Sequence, residues 1–277
     1  MRLLLRSARR GSGHDECGDG ALTTARYYRN VIEIETRDGL MPAYVARPSG
    51  DGPFAAVILL QEIFGITPEL QHIADMLAAE GYLTVLPALF HRTDPHFLAP
   101  YDTDGMTRGR AAVNVLSHDD VRSDIRAAID WVRGQPDATG EVATWGFCWG
   151  GSVAFMSATF DDIRAAISFY GAQIVKSPYD GRPPMLDYTP KIQAPLFLVF
   201  GGMDQSISGS DIQTIQDTLI ANEKAFSLTM YREEGHAFFR FAGTPQAAVH
   251  APEAWQRVLA FLQNAFAVGT DDQIDGQ

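Results

Sequence analysis

The chain has 277 residues, 46% hydrophobic and 20% charged, and Lys plus Arg (22) against Asp plus Glu (34) leave a net charge of −12. This is the composition of a globular chain, so disorder along most of its length is excluded, and the acidic balance makes nucleic acid and anionic lipid poor partners. Two cysteines, Cys17 and Cys148, are too few for a disulfide scaffold or a Cys₄ zinc site and fit a reducing, cytoplasmic compartment.

No apolar run approaches the ~20 residues of a membrane span. The start is basic and then Gly-rich, and its apolar stretch, Leu3 to Leu5, is shorter than the ~7 residues of a signal-peptide core. Residues 1–27 therefore read as a disordered arm or an upstream translation start, and Cys17, inside it, is given no role. Residues 28–270 read as one α/β domain and 271–277 as a flexible tail.

Asn30 to Thr36 alternates, Asp38-Gly39 is a turn, and Met41 to Arg47 follows, which reads as an antiparallel hairpin. Phe54 to Leu60 is continuously apolar, as a strand buried on both faces should be. Thr67, Pro68 and Glu69 then open a helix that Gly81 ends. Leu83 to Leu86 is a strand, Phe90 to Asp104 a long polar loop, and Met106 to Leu116 a helix. Ser117 caps a further helix running to Arg133. Val142 to Trp145, Ala165 to Phe169, Leu196 to Phe200 and Phe226 to Tyr231 read as strands. Helices are expected from about Gly150, over Asp211 to Ala221 and over Glu253 to Phe266, with a Pro- and Gly-rich loop at Ser177 to Pro184. This alternation predicts an α/β domain built on one doubly wound, mostly parallel sheet with helices on both faces. Active residues of such sheets lie at the carboxyl ends of the strands.

Gly146-Phe147-Cys148-Trp149-Gly150 lies between an apolar strand and a small-residue helix. That is the setting of the G-x-nucleophile-x-G elbow, here with Cys. Side chains at Gly146 and Gly150 would collide with the neighbouring strand and helix. The elbow puts Cys148 at a helix N-terminus, which favours thiolate, and the Trp149 amide can donate to an oxyanion. Taken alone, the motif could equally be a buried structural cysteine in a tight turn. Asp204 follows one later strand and His236 the next, giving the chain order nucleophile, acid, histidine. Singly, Asp204 could be a turn residue making an Asx bond and His236 a loop histidine. Together they form a candidate triad. His14, His72, His91, His96, His118 and His250 have no comparable setting, and no pair has metal-ligand spacing with supporting carboxylates, so no metal is expected.

Gln61-Glu62-Ile63-Phe64-Gly65 directly follows the first parallel strand, where α/β-hydrolases place a second oxyanion donor, here the Ile63 amide. A carboxylate beside that amide would repel an oxyanion. Glu62 must either point to solvent or interact with the nucleophile.

The set QEIFG, GFCWGG, GGMDQSI and GHAFFR resembles the dienelactone hydrolase family over roughly Val31 to Phe266. The resemblance implies a cofactor-free α/β-hydrolase with Cys148, His236 and Asp204 as triad. Glu62 would be an internal carboxylate that holds the resting thiol and helps generate thiolate. It also implies a small lactone or ester substrate bearing a carboxylate, bound by Arg240 and by Arg110, preferred over Arg108, with Tyr170 in the pocket. A monomer or small homo-oligomer is expected. Ala237 stands where the family commonly has Ser, and Asn114 and Ser117 where aromatics would line the pocket. Thiolate is also a good leaving group, so its adduct goes forward only when the other group leaves well. This favours enol lactones and activated esters over amides.

Overall fold

The computed structural model describes residues 26–177, 182–241 and 249–267. The expected tail, Cys17, His14 and most of the expected arm lie outside the described residues. Strand β1 (Tyr27–Thr36) begins one residue inside that arm and pairs antiparallel with β2 (Gly39–Pro48), Glu33 facing Pro42 and Thr36 facing Gly39. The Asp38-Gly39 turn closes this hairpin, with Gly39 at φ 120°.

Strand β3 (Phe54–Leu60) follows, then helix α1 (Pro68–Ala79) and β4 (Leu83–Pro87). Every residue of β3 from Ala56 to Leu60 is fully buried, the state its unbroken apolar run requires. Thr67 caps α1 by accepting from the Leu70 amide, Pro68 occupies the first turn, and the chain turns away at Gly81, φ 98°. Helices α2 (Thr103–Asn114) and α3 (His118–Arg133) precede β5 (Ala138–Phe147) and α4 (Trp149–Ser157). Ser117 and Asp120 form a capping box at the start of α3.

Helix α2 begins earlier than its sequence suggests. Asp102 accepts from the Gly105 amide and starts the helix inside the expected loop. The polar, Gly-containing first turn hid this start. Strand β6 (Ala165–Phe169) leads to a 3₁₀ helix, Met185–Lys191, absent from the sequence-based expectation because Pro184 precedes it and Pro190 lies inside it. Strand β7 (Leu196–Gly201), helix α5 (Gly209–Ala221), strand β8 (Phe226–Tyr231) and helix α6 (Ala251–Ala267) complete the described chain.

The strands form one sheet in the order β1-β2-β4-β3-β5-β6-β7-β8. β2 meets β4 antiparallel, and all pairs from β4 to β8 are parallel. The carboxyl ends of β3, β5, β7 and β8 therefore face one rim of the sheet, with β5 central.

Candidate active site

Cys148 connects β5 to α4 with φ 55° and ψ −117°, a left-handed backbone that non-glycine residues rarely adopt. The surroundings hold it there. Its amide donates to the Phe169 carbonyl at 3.0 Å, and its carbonyl accepts from Ser152 at 3.2 Å. A Cβ on Gly146 would lie 1.9 Å from the Gly150 carbonyl oxygen, and one on Gly150 would lie 2.2 Å from that of Leu60. The two glycines thus let strand, elbow and helix close on one another, which aims the half-buried Cys148 at the rim. Trp149 occupies the first position of α4, where an amide has no acceptor inside its own helix. Its ring stacks on Phe90 at 5.1 Å.

Asp204 and His236 meet on the same rim. His236 Nδ1 donates to Asp204 Oδ2 at 2.7 Å, and that carboxylate side chain is fully buried. The other oxygen, Oδ1, accepts from the amides of Ser206 at 2.7 Å and Ile207 at 3.2 Å. The Asx turn and the histidine contact, alternatives in sequence, are therefore both present, one on each oxygen.

The preceding Gly201-Gly202 pair makes the contact possible. A Cβ at Gly201 would sit 2.4 Å from the Glu234 carbonyl, and the Met203 amide donates to that same carbonyl at 2.8 Å. The β7 turn is thereby pressed onto the loop that carries His236.

Burial opposes a charged imidazole at His236. The hydrogen bonds and charges of Asp204 and Cys148 outweigh that cost and raise it from 6.5 to about 10. Tyr170, at φ 41° and almost fully buried, lays its ring edge-on to His236 at 5.2 Å.

Glu62 turns inward, which removes the solvent-facing alternative. Only 4% of its side chain is exposed. Its Oε2 accepts from the Tyr101 hydroxyl at 3.0 Å and lies 3.7 Å from Arg240. Burial pushes its carboxyl up from the ordinary range, with Arg240 and the Tyr101 hydrogen bond acting against that. Arg240 is itself buried. Its guanidinium stacks over the Tyr101 ring at 4.3 Å and donates to Glu69 Oε2 at 2.5 Å. Tyr101 and Glu69 were not singled out from sequence, since one sat in a supposed loop and the other looked like ordinary first-turn acid.

Helix α2 rests directly on the Ile63 turn. A Cβ on Gly109 would be 2.2 Å from the Ile63 carbonyl oxygen. The flanking arginines diverge. Arg108 covers the Phe97 ring at 5.5 Å, whereas Arg110 is exposed, with no ion pair or hydrogen bond to a described residue. Ser117 spends its hydroxyl on the cap of α3.

Two other histidines also face carboxylates. His91 lies 3.2 Å from the buried Asp124, and His250 lies 2.8 Å from Glu234. Neither has a cysteine beside it, because the only described cysteine is Cys148, and Arg92 already pairs with Asp124. Among the described residues no group of three or more His, Cys, Asp or Glu is placed to hold a metal ion, and no helix is long and apolar enough to cross a membrane.

A mixed sheet wrapped by helices, with a strained elbow above its central strand and a His–Asp pair on the same rim, defines an α/β-hydrolase fold. The model of the Dienelactone hydrolase family matches residues 41–266, and the chain belongs to that family. It is 32% identical over 235 residues to a "Putative carboxymethylenebutenolidase" of Synechocystis sp., covering 84% of this chain and 95% of that one. It is 29% identical over 233 residues to the carboxymethylenebutenolidase of Pseudomonas putida, covering 83% and 94%. Among solved structures it is similar to a "Putative Dienelactone Hydrolase" from Klebsiella pneumoniae, with a TM-score of 0.75 and 28% identity over 84% of this chain and 97% of that one.

Proposed function

We propose that this chain hydrolyses dienelactone-type enol lactones and related small activated esters through an acyl-thioester on Cys148. The observation that carries the reading is the 2.7 Å His236–Asp204 contact beside a cysteine held at φ 55°. In this scheme Asp204 fixes Nδ1–H of His236, so Nε2 is the atom that takes the thiol proton. The thiolate attacks the carbonyl carbon, and the negative charge gathers on the carbonyl oxygen, held by the Ile63 and Trp149 amides. The carbon–oxygen bond to the enolate then breaks, and His236 returns its proton to the leaving oxygen. Water, deprotonated by His236, next attacks the thioester and releases acid and thiol.

Glu62, behind the Ile63 turn, is the proposed group that restrains the resting thiol. Arg240, Arg110 and Tyr170 are the proposed substrate-facing residues, Arg240 and Arg110 for a substrate carboxylate.

The test is turnover of dienelactone and of p-nitrophenyl acetate by wild type and Cys148→Ala. Turnover by wild type and its loss in the variant support the reading, and no turnover of either substrate ends it. One observation favours the broader reading, a general small-ester or lactone hydrolase. Arg240 is already paired with two carboxylates of the chain itself.

A further inference from the structure

The strongest unassigned feature of the rim is the second carboxylate on Arg240. Arg240 is 8% exposed, and a guanidinium so buried needs a close anionic partner. Glu62 supplies one only at 3.7 Å, while Glu69 supplies one at 2.5 Å. Glu69 is well suited to stay there. It lies in the first turn of α1, behind the Thr67 cap and Pro68, where the helix dipole favours a carboxylate. The turn that leads into α1 is pinned in turn, since Gly65, at φ +86°, packs its Cα against the Phe97 carbonyl, which a Cβ would approach to 2.1 Å. Tyr101 closes the opposite face of the guanidinium at 4.3 Å.

One cation thus faces two carboxyl groups of its own chain, and the nearer of them, Glu69, balances its charge. A third carboxylate arriving on a substrate would meet Glu69 in the place it needs. An uncharged acyl group meets no such opposition. Specificity set by an occupied partner works by excluding the competitor rather than by attracting the preferred ligand.

We infer that Glu69 is a specificity-determining residue. It neutralises Arg240 from within the chain and weakens its hold on a substrate carboxylate, which broadens the site toward uncharged lactones and esters. The inference rests on the hydrolase reading above and deepens it. Glu69 acts through Arg240 and takes no part in bond breaking.

The test compares two esters matched in chain length, p-nitrophenyl pentanoate and mono-p-nitrophenyl glutarate, which differ by a terminal carboxylate. Wild type is compared with Glu69→Gln, which keeps an oxygen for Arg240 to hydrogen-bond and removes only the charge. The ratio of kcat/KM for the anionic over the neutral ester should rise by about tenfold or more in Glu69→Gln. The gain should vanish in Glu69→Gln/Arg240→Met. Calorimetric binding of glutarate itself, read without turnover, should tighten by a similar factor in Glu69→Gln.

An unchanged ratio together with unchanged glutarate affinity overturns the inference, as does a gain that survives loss of Arg240. If wild type turns over neither ester, the hydrolase reading falls on that result, and glutarate binding alone decides the role of Glu69.

Discussion

Asp204→Asn is the most informative single change at the rim. The two oxygens of Asp204 are bound to different partners: Oδ1 holds the amides of Ser206 and Ile207, and Oδ2 holds His236. An asparagine must keep its carbonyl oxygen on the two amides, because its NH₂ group cannot accept from them. That turns the NH₂ toward His236 Nδ1, which must then accept, and the ring proton moves to Nε2. The nitrogen facing Cys148 can no longer take a proton. His236 rises from 6.5 to about 10 in the native protein. At ~1.4 kcal/mol per pH unit, the environment favours the imidazolium by on the order of 5 kcal/mol, net of its burial cost and shared between Asp204 and Cys148. Loss of the Asp204 share and of the tautomer should lower kcat/KM for p-nitrophenyl acetate by about 10³–10⁴-fold.

The turn itself survives the change, so the variant should still fold and unfold cooperatively, and the stability it loses is the Asp204 share of His236, largest below pH 6.5. The assay is initial rate against pH for both proteins, with the His236 titration followed by NMR. A variant that keeps activity within about threefold, or a His236 titration left in place, would refute the tautomer argument.

Other predictions follow from the same geometry. The folded pKa of His236 lies above its unfolded value, so its contribution to stability is complete below pH 6.5 and is lost as pH rises through about 10. Denaturant unfolding of wild type against Asp204→Asn should show a difference that shrinks across that window, and a constant difference would contradict it. Burial raises the Glu62 carboxyl, so this group favours folding most below the ordinary carboxylate range and less as pH rises beyond it. Glu62→Gln should flatten that part of the stability–pH curve, and an unaltered curve would show that Glu62 is not desolvated. Gly150→Ala brings a methyl to 2.2 Å from the Leu60 carbonyl and should cost about 1–3 kcal/mol in denaturant unfolding. A neutral result there would mean that the elbow is not clamped against β3.

Much of this architecture is legible in the residues, because local rules and tertiary demands agree. The unbroken apolar run of β3, the caps Thr67 and Ser117, and the glycines of the elbow each have one physical use, and each is put to it. Asp204 shows where such reading stops. Its sequence offers a turn residue or a catalytic partner, and only coordinates reveal that two oxygens allow both. Gly201-Gly202 carries a signal that could have been used, since a glycine pair just past a strand end marks close backbone approach.

Glu69 and Tyr101 could not be found in this way. Both reach Arg240 across large separations in sequence, and a first-turn glutamate or a loop tyrosine has an adequate local reason to be where it is. The start of α2 was missed for the opposite cause. Tertiary contact at Gly105 and Gly109, whose Cα atoms press on Pro100 and Ile63, holds a helix that propensity alone disfavours.

The central claim is that Cys148 carries the acyl group, and it can be measured directly. Enzyme quenched in acid during turnover of p-nitrophenyl acetate, then digested and weighed by mass spectrometry, should carry one acetyl group on the peptide containing Cys148. Cys148→Ala should carry none, and His236→Ala, if it acylates at all, should hold the group longer. Turnover with no acetyl on that peptide, or with acetyl on another residue, would contradict the account.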